Sequence, residues 1–272
     1  MRIFLFAFFI LVSFVTYAQV RPATISEKQK KKMQRKERVD AMIRQQEEGA
    51  LVFNKQNVYG FRLNTNGWSA FFEKGFMKDV RKTNLLQFEI SEIKHPKEQK
   101  VSTTSQSGPF ITFSSPFVYG KQNIFYQFRP AFGQQRLIGG KANRNGVAVT
   151  AVYMGGISLG LERPYYLRVL DPNTSGTRDI KFNSADSALF LGNSIIQGTG
   201  LRNGWGEMKI IPGVHSKVAL RFDYGRFNDL VSAFEVGVHA EYFLQKPEIM
   251  LFNETKPFFF SGYVAILIGK RK

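Results

Sequence analysis

Between Glu207 and Leu244 the chain keeps a two-residue rhythm that few folds accept. Met208, Ile210, Pro212, Val214, Ser216, Val218, Leu220, Phe222 and Tyr224 form one file, and Lys209, Ile211, Gly213, His215, Lys217, Ala219, Arg221 and Asp223 form the other. After Gly225-Arg226-Phe227-Asn228 the rhythm restarts. Leu230, Phe234, Val236, Val238, Ala240, Tyr242 and Leu244 now alternate with polar residues that include Glu235, His239 and Glu241. Side chains on a strand alternate faces, so this is a hairpin with one apolar and one charged face. Its strands run to roughly 15 residues, against about 5–6 in an ordinary globular sheet. Such a hairpin suits a soluble sandwich or a membrane barrel.

The N-terminus chooses between them. Met1-Arg2 precedes an apolar run from Ile3 to Val15, and Thr16-Tyr17-Ala18 supplies small residues before Gln19. A basic start, a short apolar core and small cleavage-site residues predict a secretory signal peptide over residues 1–18. The run is short for a membrane-spanning helix of about 20 residues. The absence of cysteine excludes a lipoprotein signal, disulfides and thiolate-ligated metal. The formal charge of +17 points, in an exported chain, to anionic lipid, lipopolysaccharide phosphates or an acidic protein rather than to nucleic acid.

Residues 19–56 read as a basic periplasmic arm. Strong helix formers fill the interval between Ser26 and Gly49, with Ser26 placed to cap its start and Gly49 to end it. Lys30, Lys31, Lys32, Arg35, Lys36 and Arg38 make it cationic, and apolar residues are sparse. It can bury little and is expected to be solvated or to hold a partner.

Strand alternation fills the remainder, residues 57–272. The expected strands are Asn57–Asn64, Trp68–Phe76, Thr83–Ile93, Asn123–Ala131, Val147–Leu161, the hairpin pair, and Pro257–Gly269. The predicted connections at 77–82, 133–146 and 225–228 are shorter than most of those at the other end, 94–122, 165–206 and 245–256, as in outer-membrane barrels. The Asn66-Gly67 hairpin turn is the exception at that end. Eight strands follow. Ten would follow if Phe110–Tyr119 joined the sheet and Val147–Leu161 split at Gly155.

The polar files carry Arg62, Glu73, Glu89, Arg129, His215, Lys217, Arg221, Asp223, Glu235, His239 and Glu241, with Gln127 among them. In an eight-stranded barrel they point into a lumen just wide enough for side chains. Buried charges there must pair, and both signs are present. Phe71 interrupts the polar file of its strand. The outward files carry Trp68, Phe72, Phe76, Tyr126, Phe128, Tyr242, Phe258 and Phe260, suited to interfacial girdles.

No catalytic, cofactor-binding or metal site is assigned. His215-Ser216 is adjacent on a strand, so the two side chains face opposite ways and cannot form a nucleophile–base pair. His215 and His239 share a file, but two histidines with flanking carboxylates make a weak metal set.

The signal end Thr16-Tyr17-Ala18-Gln19, the alternation, and the block Tyr153-Met154-Gly155-Gly156-Ile157-Ser158-Leu159-Gly160-Leu161 resemble the small outer-membrane β-barrel proteins of Bacteroidota, of the OmpA/OmpX type. The resemblance covers roughly residues 57–270 as a pattern. It implies a closed antiparallel up-and-down transmembrane barrel in the outer membrane, with no cofactor and no catalytic residues. The expected role is a structural or docking subunit of an envelope or secretion complex, with a plugged polar lumen. The alternatives are a narrow channel or small-solute or lipid binder, and, third, a lipid hydrolase.

Overall fold

The computed structural model describes residues 31–33, 35–36, 53–107, 110–141, 146–172, 174, 176–225 and 229–272. The chain divides into two units, Met1–Arg44 and Gln45–Lys272. In the first, residues 31–33 and 35–36 are helical and exposed, which includes Lys31, Lys32, Arg35 and Lys36. The expected signal segment, Lys30 and Arg38 lie outside the described residues.

The second unit begins with β1 (Lys55–Asn64), β2 (Gly67–Asp79) and β3 (Lys82–Ile93). Four short strands follow, β4 (Lys100–Val101), β5 (Thr104–Ser107), β6 (Phe110–Phe113) and β7 (Phe117–Val118). Then come two long strands, β8 (Asn123–Gly139) and β9 (Ala148–Pro164), and three short ones, β10 (Tyr166–Leu170), β11 (Thr177–Lys181) and β12 (Ile195–Gly198). β13 (Lys209–Asp223), β14 (Leu230–Phe243) and β15 (Phe258–Arg271) complete the chain.

Among the described residues, eight strands close a barrel in the order β1-β15-β14-β13-β9-β8-β3-β2. All its pairings are antiparallel, and each strand lies beside its chain neighbour in the barrel, with β1 meeting β15. This is the up-and-down topology that abolishes sheet edges.

The expected strands are all present, with corrected ends. Residues 133–139 are not connection but the end of β8, so Gln135 enters the lumen. β9 runs unbroken through Gly155 and pairs with β13 over its length. The segment 110–119 does not join the barrel: β6 pairs with β5, and β7 with β4. The count is therefore eight, not ten. The segment expected as loop at 165–206 carries a three-stranded sheet, β11-β10-β12, and a one-turn helix, Ser187–Phe190. Its core is Leu167, Val169, Ile180, Phe190 and Ile195.

The first hairpin turns through Thr65-Asn66, and Gly67 already belongs to β2. Gly67 has φ of 152°, and a Cβ there would lie 2.0 Å from the Glu92 carbonyl oxygen. Glycine is the residue that accepts both conditions.

Candidate functional site: an ionic belt inside the barrel

The barrel is apolar outside and ionic inside. Along β13, Ile210, Val214, Val218 and Leu220 are exposed, while His215, Lys217, Arg221 and Asp223 are buried. The same inversion holds on β1, where Tyr59, Phe61 and Leu63 flank buried Arg62. All eleven residues of the expected polar file lie inside.

Nine of them, all but His215 and Asp223, form a connected belt. Arg62 donates to both oxygens of Glu89 at 2.8 Å. Arg129 bridges Glu89 and Glu241, and Gln127 donates to Glu241 at 2.7 Å. Arg221 grips Glu73 through two bonds of 2.7 Å and reaches Glu235 through Nε at 2.9 Å. Lys217 donates to Gln87 at 2.6 Å and to Glu235 at 3.4 Å, and the Tyr263 hydroxyl donates to Glu235 at 2.8 Å. Four cations (Arg62, Arg129, Lys217, Arg221) thus face four carboxylates (Glu73, Glu89, Glu235, Glu241). Matched charge with bidentate geometry is what makes buried ions tolerable. Near the chain termini Asp223 pairs with Arg271, and Lys141 Nζ lies 3.5 Å from it.

Phe71, which breaks the polar alternation of β2, is part of this belt. The Arg62 guanidinium lies between two rings, 4.8 Å from the centroid of Phe71 and 4.1 Å from that of Tyr263. Aromatic faces attract a desolvated cation, which compensates for Arg62 Nε having no hydrogen-bond partner among the described residues. Space for Phe71 comes from Gly60 across the β1–β2 pair: a Cβ there would fall 2.1 Å from the ring.

Apolar groups close both ends of the belt. At the loop end Phe125 stacks on Phe259 and both meet Phe243 edge-on, with centroids 5.2–6.1 Å apart, joined by Ile93, Ile211, Ile249 and Met250. At the other end Phe53, Ala148, Met77 and Leu137 cluster, with Arg271 over the Phe53 ring.

His215 and Ser216 face opposite sides, the histidine buried and the serine exposed. Each lumen histidine meets a different serine. His215 Nδ1 lies 3.0 Å from Ser158 Oγ, and His239 Nε2 lies 2.9 Å from Ser261 Oγ. Both serines are buried in the lumen, at 0% and 1% exposure, so these contacts satisfy buried polar groups. Among the described residues, no three or more His, Asp or Glu side chains are grouped to hold a metal ion.

Several buried residues were not singled out as site residues in the sequence. Arg271 lies beyond the expected end of the last strand, and Gln135 and Lys141 in an expected connection. Tyr263 lies on the lumen face of β15 with Ser261. Arg163, fully buried at the end of β9, stacks over Trp205 at 4.6 Å and Tyr126 at 5.6 Å and donates to the Gly200 carbonyl at 3.1 Å. It ties the β10–β12 sheet to the barrel wall.

On that sheet, Arg168 donates two hydrogen bonds to Asp179, at 2.7 and 3.0 Å. These bonds hold the Asp179 carboxyl below its ordinary pKa, with burial opposing. In the β3–β4 connection, burial pushes His95 below the usual imidazole value, with Glu98 opposing.

No family profile matches this chain, and no curated protein does. Several solved chains resemble it in fold, Ail and Neisserial surface protein A among them. Ail, the attachment invasion locus protein of Yersinia pestis, was solved in complex with the heparin analogue sucrose octasulfate. It is 10% identical, covers 81% of this chain and 100% of its own, and superposes with a TM-score of 0.37. Neisserial surface protein A is 5% identical over 80% of this chain and 94% of its own, with a TM-score of 0.36. The barrel itself rests on its own strand pairing.

Proposed function

We propose that this protein is an outer-membrane β-barrel that conducts nothing and works as a structural or docking component of the envelope. The observation that carries this reading is the inverted wall, with ion pairs sealed inside and apolar side chains exposed outside. Monomeric soluble proteins rarely expose contiguous apolar patches beyond a few hundred Å², whereas a bilayer covers such a surface without cost. Strands of 10–17 residues meet or exceed the roughly 9–11 that a tilted strand needs to cross. Cations finish the outer surface at the end with the short turns, at Lys55, Lys78, Lys82, Arg136 and Lys270, all exposed, where anionic head groups would meet them.

The plugged lumen follows from the belt and its two apolar caps. A water path through it would have to break bonds that satisfy buried ions. Docking is then left to the β10–β12 sheet and to the cationic arm, whose exposed Lys31, Lys32, Arg35 and Lys36 suit an acidic envelope protein.

Membrane fractionation with heat-modifiable migration tests address and barrel together. Planar-bilayer recording tests the plug, since steady ion-selective openings would refute it. Deleting residues 19–48 tests the arm, and unchanged pull-down of envelope proteins would refute its docking role.

A further inference from the structure

The barrel wall is incomplete at one point of its outer rim. β1 ends at Asn64, opposite Tyr263. Thr65 adds one bond to the Gly262 carbonyl, and the two-residue turn then returns as β2. β15 starts further out, at Phe258, and its first residues pair with β14 through Phe258↔Tyr242 and Phe260↔Ala240. On the β1 side, Phe258–Ser261 have no strand partner among the described residues. Across the gap β3 ends at Ile93, and the chain continues as Lys94–Lys97. The short turn thus leaves a notch between β15 and β3.

The notch opens on a cleft of about 420 Å³, within the range of roughly 300–1,000 Å³ typical of small-molecule sites. Its floor is Ile93, Ile249, Met250 and Phe259, part of the apolar cap of the lumen. Lys94, Lys97 and Lys256 line the cleft and are exposed, against the single carboxylate of Glu254 among the lining residues. Phe258 and Phe260 flank it on the outer wall at 54% and 63% exposure.

Depth and charge select the occupant. Unpaired strand edges do not occur in hydrocarbon, because backbone groups there find no water. The notch therefore lies at head-group level, where a chain-bearing lipid offers its phosphate. A free phosphate would leave the apolar floor uncovered, and a zwitterionic head would bring a cation to the lysines.

We propose that this notch is a lateral binding site for one phosphate-headed lipid, its acyl chain over Ile249 and Met250 and its phosphate among Lys94, Lys97 and Lys256. The inference rests on the outer-membrane reading and extends it from a membrane address to a specific lipid contact.

The test uses the full-length chain folded in zwitterionic detergent, with oleoyl lysophosphatidic acid as probe and native mass spectrometry as readout. Oleoyl lysophosphatidylcholine and inorganic phosphate are the comparators. A one-to-one complex is expected with the phosphate-headed lipid, about tenfold or more tighter than with the choline lipid, and without competition from inorganic phosphate. Lys94→Gln, Lys97→Gln and Lys256→Gln combined, all at exposed positions, are expected to lose about tenfold or more while the barrel stays heat-modifiable. A heat-modifiable barrel that binds neither lipid, binds both equally, or ignores the triple substitution overturns the site. Competition by inorganic phosphate alone also overturns it. A chain without heat-modifiable migration overturns the membrane reading itself.

Discussion

Arg221 on β13 and Glu73 on β2 meet across the lumen through two hydrogen bonds of 2.7 Å, although 148 residues separate them in the chain. The pair spans the barrel and is fully desolvated, at 2% and 0% exposure. Removing Glu73 leaves Arg221 to share Glu235 with Lys217, an excess buried cation in a medium that cannot solvate it. Glu73→Ala is expected to cost about 3–5 kcal/mol, as for other broken buried pairs. Glu73→Leu with Arg221→Met should cost much less, since no lone charge remains. Urea unfolding of the detergent-folded barrel, followed by heat-modifiable migration, measures both.

Gly60 and Phe71 form a second pair whose test is a double-mutant cycle. Gly60→Ala puts a methyl group inside the Phe71 ring and should destabilise the barrel by about 1–3 kcal/mol, the usual cost of overpacking. Phe71→Ala should lose the Arg62 stacking face. In the double variant the clash is gone, so the two effects should fall short of additive by more than about 0.5 kcal/mol. Additive losses would mean that the two residues do not share that space.

The wall should respond to charge according to the face it lands on. Val218 lies near the middle of β13 and is 60% exposed. Val218→Arg is expected to cost about 2–4 kcal/mol when folding is measured into lipid vesicles, as for midplane arginines in other barrels. Ser216→Ala, on the same outer face, should leave folding within about 0.5 kcal/mol. It should also leave lipid hydrolysis at background, because Ser216 has no base beside it. If Val218→Arg is neutral in vesicles, that face does not meet lipid.

The outer sheet should loosen in acid before the barrel does. Asp179 is held below its ordinary value of 3.8 by Arg168. A carboxyl with a depressed folded-state pKa contributes stability above its unfolded value and loses it as pH falls through the folded one. Hydrogen exchange of β10 and β11 should therefore accelerate below about pH 4, relative to β13 and β14. Asp179→Asn should remove that pH dependence and show faster exchange already at pH 7. Equal protection of β10 and β11 at pH 3 and pH 7 would refute the linkage.

Much of this protein was legible because a two-residue period admits one geometry. The alternation from Met208 to Leu244 placed Val218 and Lys217 on opposite faces without reference to any other strand. The same logic placed Arg62, Glu89 and Glu235 inside. What the files could not convey was where each strand ends. Gln135 stands between Gln134 and Arg136, and Arg271 between Lys270 and Lys272, so they looked like connection and tail, while Lys141 lies past the end of β8. Nor could alternation explain Phe71 or Tyr263, whose place in the polar file makes sense only beside the Arg62 guanidinium they enclose.

Local sequence, then, determined the strands, their faces and the inverted character of the wall, because side-chain direction on a strand depends on position alone. Only the closed tertiary structure decided which ions meet, which strand stops short, and where the outer rim is left open. Those depend on register between strands far apart in the chain, as where Gln56 of β1 lies opposite Arg271 of β15, and register is set by the whole cylinder closing on itself.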